Sequence, residues 1–206
     1  MESHKLSVKR ILIDLLSIKD QLKMLFNNNT EYASLINFLT EKDYYNDENI
    51  PLPTLKEIES ETGLKTNQLR TQLLSIYQEL FEYDSNKSLE FNNKEYFFFL
   101  DFNKTYASFT LKSINHLPRI GENITIPFLK AKIQLDVFYV EDIRHVFQGT
   151  TQKIEIYLKS GYFNSYFHFR KHQALEENEI GILEIHDLTD YQIKERLRMG
   201  RFKYNR

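Results

Sequence analysis

Residues 55–77 read LKEIESETGLKTNQLRTQLLSIY. A short amphipathic stretch runs into Gly63, and a longer one follows. Thr54 stands just before, with Glu57 three residues on. That spacing is a capping box, in which each side chain satisfies a backbone N–H that the first helical turn leaves unpaired. Gly63 can take the left-handed conformation that ends a helix. Leu69, Leu73, Ile76 and Leu80 recur at helical spacing, so they predict the buried stripe of a second helix.

These residues, Ile58-Glu59-Ser60-Glu61-Thr62-Gly63-Leu64 with Leu69, Leu73 and Ile76, resemble the winged helix-turn-helix superfamily of bacterial regulators. The resemblance covers about residues 30–100 at most, and the motif itself about twenty. One position departs from the pattern. The family has a small residue directly after the Ile, where the helices touch, and here it is Glu59. A carboxylate there must escape sideways, or the helices must cross more openly.

The resemblance implies that the second helix reads the major groove of DNA, with Lys65, Thr66, Asn67, Gln68, Arg70 and Thr71 as its outward side chains. Their chemistry suits groove reading. Asn and Gln pair bidentately with adenine, Arg with guanine, and Thr and Lys with phosphate. Charge opposes it. Residues 54–83 hold three basic and five acidic side chains. Affinity for a duplex comes largely from neutralising phosphates.

Charge is uneven along the chain. Residues 1–106 carry 12 basic and 17 acidic side chains, and residues 107–206 carry 15 and 12. Much of the basic surplus lies in the tail KERLRMGRFKYNR. Lys194, Arg196, Arg198, Arg201 and Lys203 are candidate phosphate contacts there, with a solvated end as the plain alternative. The total of −2 excludes a protein that is basic throughout. The 41% hydrophobic and 27% charged content is that of a folded chain, not a disordered one. With no cysteine there is no disulfide and no thiolate metal site. No apolar run approaches the ~20 residues of a membrane helix. The N-terminus lacks a signal-peptide pattern, so the expected compartment is the cytoplasm.

Around the motif, Val8, Ile11, Leu15, Ile18, Leu22 and Leu25 predict one long leading helix. Its narrow stripe suits either core packing or a homodimer seam. Thr30 is placed to cap the next helix, whose inner face is Tyr32, Leu35, Ile36 and Leu39. After residue 84 the period changes. Leu89 and Phe91, a turn at Asn92-Asn93 and YFFFL predict a hairpin in the position of a wing. A second turn at Asp101–Lys104 and a strand near 108–113 follow. Further strands are expected over Ala131, Ile133, Leu135, Val137 and Tyr139, and over Ile154, Ile156 and Leu158. Turns fall at Gly121, Gly149 and Gly161. Asp187 is placed to cap a last helix ending near Gly200.

The expected fold is therefore α+β: a leading helix (1–29), a winged helix-turn-helix (30–103), a small antiparallel barrel or sandwich (104–186), and a C-terminal helix with a basic tail (187–206). The stretch 157–173 is read as a strand. Phe163, Phe167 and Phe169 would then face the core, and Tyr162, Tyr166, His168 and Arg170 would face out, either shielding it or stacking single-stranded nucleic acid. His168 and His172 would lie ~13 Å apart on a strand, too far for one metal. No catalytic motif, cofactor loop or metal set is found. The leading expectation is a DNA-binding, transcription-regulator-like protein whose β domain binds a ligand or partner. A non-enzymatic protein-interaction module is the alternative. An enzyme with its site in the β domain is a third reading.

Overall fold

In a computed structural model, the structure describes residues 6–200 except 83, 86, 103 and 104, and except the side chain of residue 186. The chain is mixed α+β, with helices and an open, mixed sheet of five strands. Two compact units are distinguishable. The first comprises the residues up to Phe97 with Thr110–Ile114 and Arg144–Glu155; the second comprises Phe98–Phe109, Asn115–Ile143 and the residues from Ile156 on.

The first unit is built on helices α1 (Val8–Ser17), α2 (Lys19–Phe26), α3 (Ala33–Glu41), α4 (Leu55–Thr62) and α5 (Thr66–Phe81). The apolar stripe predicts one leading helix, and two are found. Ile18 leaves helical geometry at φ −119°, ψ 31°. Just before it, the Ser17 hydroxyl donates to the Asp14 carbonyl at 2.7 Å. Such back-bonding weakens a helix locally, and a β-branched residue follows. Ile11, Leu15 and Leu22 of the stripe are buried in the chain's own core with Leu35, Leu39, Ile58, Leu69, Leu73 and Ile76. Each fully buried Leu or Ile contributes roughly 2 kcal/mol. Thr30 does not cap α3. The cap lies at Tyr32, and the Asn29 side chain accepts from the amides of Glu31 and Tyr32 instead.

The sheet comprises β1 (Asn93–Phe102), β2 (Thr105–Leu111), β3 (Asn123–Thr125), β4 (Val137–Gln148) and β5 (Thr151–Ser160), in the order β2-β1-β5-β4-β3. β3 runs antiparallel to β4, with Ile124 opposite Phe138. β4 and β5 form a hairpin through Gly149-Thr150. The Asn93 amide reaches the Thr150 carbonyl, and Phe99 stacks on Tyr157 six or seven residues further along each strand. That step makes β1 and β5 the parallel pair of the mixed sheet.

The expected wing hairpin is therefore corrected. Residues 87–92 are not a strand, and no hairpin turns at Asn92-Asn93, because β1 begins at Asn93 and pairs with β5 and β2. Of the turn expected at Asp101–Lys104, Asp101 and Phe102 belong to β1, and Asn103 and Lys104 lie outside the described residues. The strand expected over 131–135 is also absent. A 3-10 turn (Pro127–Leu129) runs into α6 (Lys130–Ile133), which ends at a left-handed Gln134. Ile154, Ile156 and Leu158 do form the buried face of β5.

Of the stretch 157–173 read as a strand, residues 157–160 do lie in β5, but the remainder is not strand: α7 spans Ser165–Glu176, capped by the Asn164 side chain. The final helix, α9 (Asp190–Arg196), starts later than expected, and an unexpected helix, α8 (Ile182–Asp187), precedes it where the β domain is expected to end. Asp187 ends α8. Thr189 caps α9 through a capping box with Gln192, whose hydrogen bonds compete with helix continuation. Among the described residues, no helix is long and apolar enough to cross a membrane.

Candidate nucleic-acid interface

The helix pair is built as the sequence implies. The Glu57 carboxylate accepts from the Thr54 amide at 2.7 Å, and the Thr54 hydroxyl accepts from the Glu57 amide at 3.3 Å. Hydrogen bonds from the Thr54 amide and hydroxyl hold the Glu57 carboxyl below its usual range. Gly63 sits at φ +71°, and its amide donates to the Glu59 carbonyl at 3.0 Å. Glu59 is half-buried.

Lys65, Thr66, Asn67, Gln68, Arg70 and Thr71 are all exposed. They are not equivalent. Lys65 is the N-cap of α5, and its amide donates to the Gln68 side-chain oxygen at 3.1 Å. Gln68 is thereby engaged in ending its own helix. Asn67, Arg70 and Thr71 lie three and four residues apart, hence on one outward face. Leu74 extends that face by one more turn and is 37% exposed. The sequence pattern does not single out Leu74, since an apolar residue beside Leu73 reads as core.

The acids of α4 lie elsewhere. Glu57 and Glu61 border a cavity of about 340 Å3 together with Phe38, Glu41, Tyr44 and Pro53. Burial first, then the charges of Glu41, Glu57 and Glu61, raise the Tyr44 hydroxyl above its usual pKa. These carboxylates therefore gather on the side of α3 and the 42–53 loop. From Gly63 to Gln78 the chain holds Lys65 and Arg70 and no acidic residue. The local excess of acid is thus divided between two faces. Further along α5, Glu79 accepts from the Tyr32 hydroxyl at 2.8 Å, and burial followed by this bond and the Glu79 charge pushes Tyr32 up to about 12.

Two of the C-terminal cations are engaged. The Lys194 ammonium sits 4.6 Å from the centre of the Phe167 ring, and Arg196 pairs with Glu184 at 3.2 Å. Arg198 is exposed. Arg201 and Lys203 lie outside the described residues. The alternating platform of 162–170 does not exist on helix α7. Phe167 is buried, Phe169 is exposed, and Arg170 pairs with Glu179 at 2.6 Å. On that helix His168 and His172 share a face, yet no three metal-binding side chains converge among the described residues. No protein-family model matches the chain, and neither a curated protein nor a solved structure shows significant similarity to it.

Proposed function

We propose that this protein binds double-stranded DNA, with α5 as its reading helix, in the manner of a transcription regulator. The observation that carries this reading is the outward face of Asn67, Arg70 and Thr71 on α5, a helix with no acidic residue before Glu79, while Glu57 and Glu61 gather around Tyr44. Asn67 supplies an adenine-reading amide and Arg70 a guanine-reading fork.

The test is fluorescence anisotropy on genomic duplex fragments across a salt series. Retention should fall steeply with salt, since phosphate contacts release counterions. Arg70→Ala combined with Asn67→Ala should remove sequence preference, each bidentate contact being worth ~1–3 kcal/mol of discrimination. No retention at low salt refutes the reading.

A second reading, a protein-interaction module, rests on a different observation. Ile182 and Leu183 of α8 are 69% and 78% exposed, and Phe169 is 67% exposed. Large exposed apolar side chains in one region mark contact surfaces. Charge substitutions at Ile182 and Leu183 that abolish capture of a defined partner, without altering DNA retention, would favour this second reading.

A further inference from the structure

A cavity of about 450 Å3 lies within the second unit, walled by β1, β2, β4, β5 and α6. Small-molecule sites occupy ~300–1,000 Å3 and combine apolar walls with a few placed polar groups. Here the apolar element is a pair of rings. Phe99 and Tyr157, from the two parallel strands, stack with centres 5.2 Å apart and planes 21° from parallel. Tyr106 stands at the border, 69% exposed.

Three charged side chains complete the wall. Glu141 is answered by Lys159 at 3.0 Å. Asp101 and Lys132 have no ion-pair partner among the described residues. A polyanion is poorly matched to this wall, where the one cation without a partner among the described residues is accompanied by a carboxylate likewise without one. A purely apolar molecule would desolvate both charges without replacing their water, which is costly. A molecule with a ring, an ammonium and a carboxylate answers all three features.

We propose that this cavity binds a small aromatic zwitterion of the aromatic amino-acid class. Its ring lies against the Phe99–Tyr157 pair, its ammonium is drawn to Asp101 and its carboxylate to Lys132. The assignment is independent of DNA binding: loss of duplex retention in α5 variants leaves it standing.

Titration calorimetry on the full chain tests it with three probes that share one ring: L-tryptophan, tryptamine and indole-3-acetate. Tryptophan should bind about tenfold more tightly than either of the others, because each lacks one charge-assisted contact. Asp101→Asn should erase the advantage over indole-3-acetate, and Lys132→Gln the advantage over tryptamine. Ser108→Phe, at an exposed position of β2 that borders the cavity, should fill it and abolish binding of all three. An unchanged circular-dichroism spectrum would separate that loss from unfolding. Equal affinities for the three probes overturn the proposal. So does unaltered tryptophan binding in Asp101→Asn and Lys132→Gln, or no saturation by about 5 mM, weaker than the millimolar limit near −4 kcal/mol.

Discussion

Each of the two compact units contains a polar cluster, and the two clusters differ in kind. In the first unit the cluster is one uncharged side chain. Gln21, on α2, is fully buried. Its amide nitrogen donates to the carbonyls of Glu90 at 2.6 Å and Gly149 at 2.9 Å, and its oxygen accepts from the Glu90 amide at 3.1 Å. In the second unit the cluster is charged and only half-buried. The Lys159 ammonium bridges Glu141 at 3.0 Å and Asp190 at 3.1 Å, and the Tyr139 hydroxyl lies 3.4 Å from His168 Nε2. An amide paired with backbone groups holds the same bonds at any pH. A network of ionisable groups makes its unit's stability depend on pH. The charged cluster also ties α9 to β4 and β5, whereas Gln21 fixes a loop and a hairpin turn against a helix. Gly149 at that turn takes a left-handed φ of +58°, which disfavours other residues, and an added Cβ would push aside the Asp20 carboxylate 2.7 Å away.

Gln21→Leu should have the largest effect. The side chain keeps its volume, so packing is nearly conserved, but three hydrogen bonds to backbone are lost. At about 1 kcal/mol each, the first unit should lose roughly 3 kcal/mol. Chemical denaturation read by far-UV circular dichroism checks it, and a loss below about 1 kcal/mol would show that water takes over the amide's role. Lys159→Met should cost less, about 1–2 kcal/mol, because the three side chains are roughly one-third exposed. What remains is two carboxylates drawn to one place with no cation between them. The loss should therefore shrink on adding salt or on lowering the pH into the carboxylate range. A loss independent of both would mean that the alkyl stem, not the charge, does the stabilising.

Local chemistry makes the first of these regions readable from sequence and hides much of the second. Between Thr54 and Leu80 every local signal agrees: a capping box, a left-handed glycine and a stripe at a single period. Neighbouring residues decide such features, and the structure keeps them. Gln21 cannot be found that way, since its partners Glu90 and Gly149 are 69 and 128 residues distant. In residues 157–173 two periods compete. Phe163, Phe167 and Phe169 satisfy a strand alternation, but Phe167 and Ala174 satisfy a helix, and Asn164 caps it. Aromatics that cluster between Tyr162 and Phe169 fall on both faces of either element, so no polar face shows which period holds. On α5, the exposure of Lys65, Asn67, Arg70 and Thr71 is legible, while the engagement of Gln68 in its own helix cap is not. Nor does the count of acids in 54–83 reveal that Glu57 and Glu61 turn toward Tyr44.

The smallest effect expected sharpens the contrast most. The His168 ring stacks on Phe163 at 4.6 Å and meets the edges of Tyr139 and Phe167. The groups facing it are Tyr139 and Glu141 from β4, Lys159 from β5, Lys171 from α7 and Asp190 from α9. Burial lowers its pKa below 6.5; the acids pull the other way, and the two lysines add to the lowering. As pH falls past 6.5 the unfolded chain takes up the proton before the folded one, so stability declines from that point downward and is complete above it. Replacing His168 by Phe keeps a ring on Phe163 and removes the proton. Between about pH 6.5 and 5 the wild-type stability should fall with a slope of at most about 1.4 kcal/mol per pH unit from this one site, and the variant's should fall less. Thermal unfolding of both proteins at half-unit pH steps checks it. Parallel slopes would place the acid sensitivity elsewhere, and the charged cluster would then be as indifferent to mild acid as Gln21. At the alkaline end the expectation reverses. Burial pushes Tyr139 up to about 12, and the pKa of Lys159 is raised because Glu141 and Asp190 outweigh the effect of its own burial. Both contributions are therefore intact below about pH 10 and are lost above it, in wild type and His168→Phe alike.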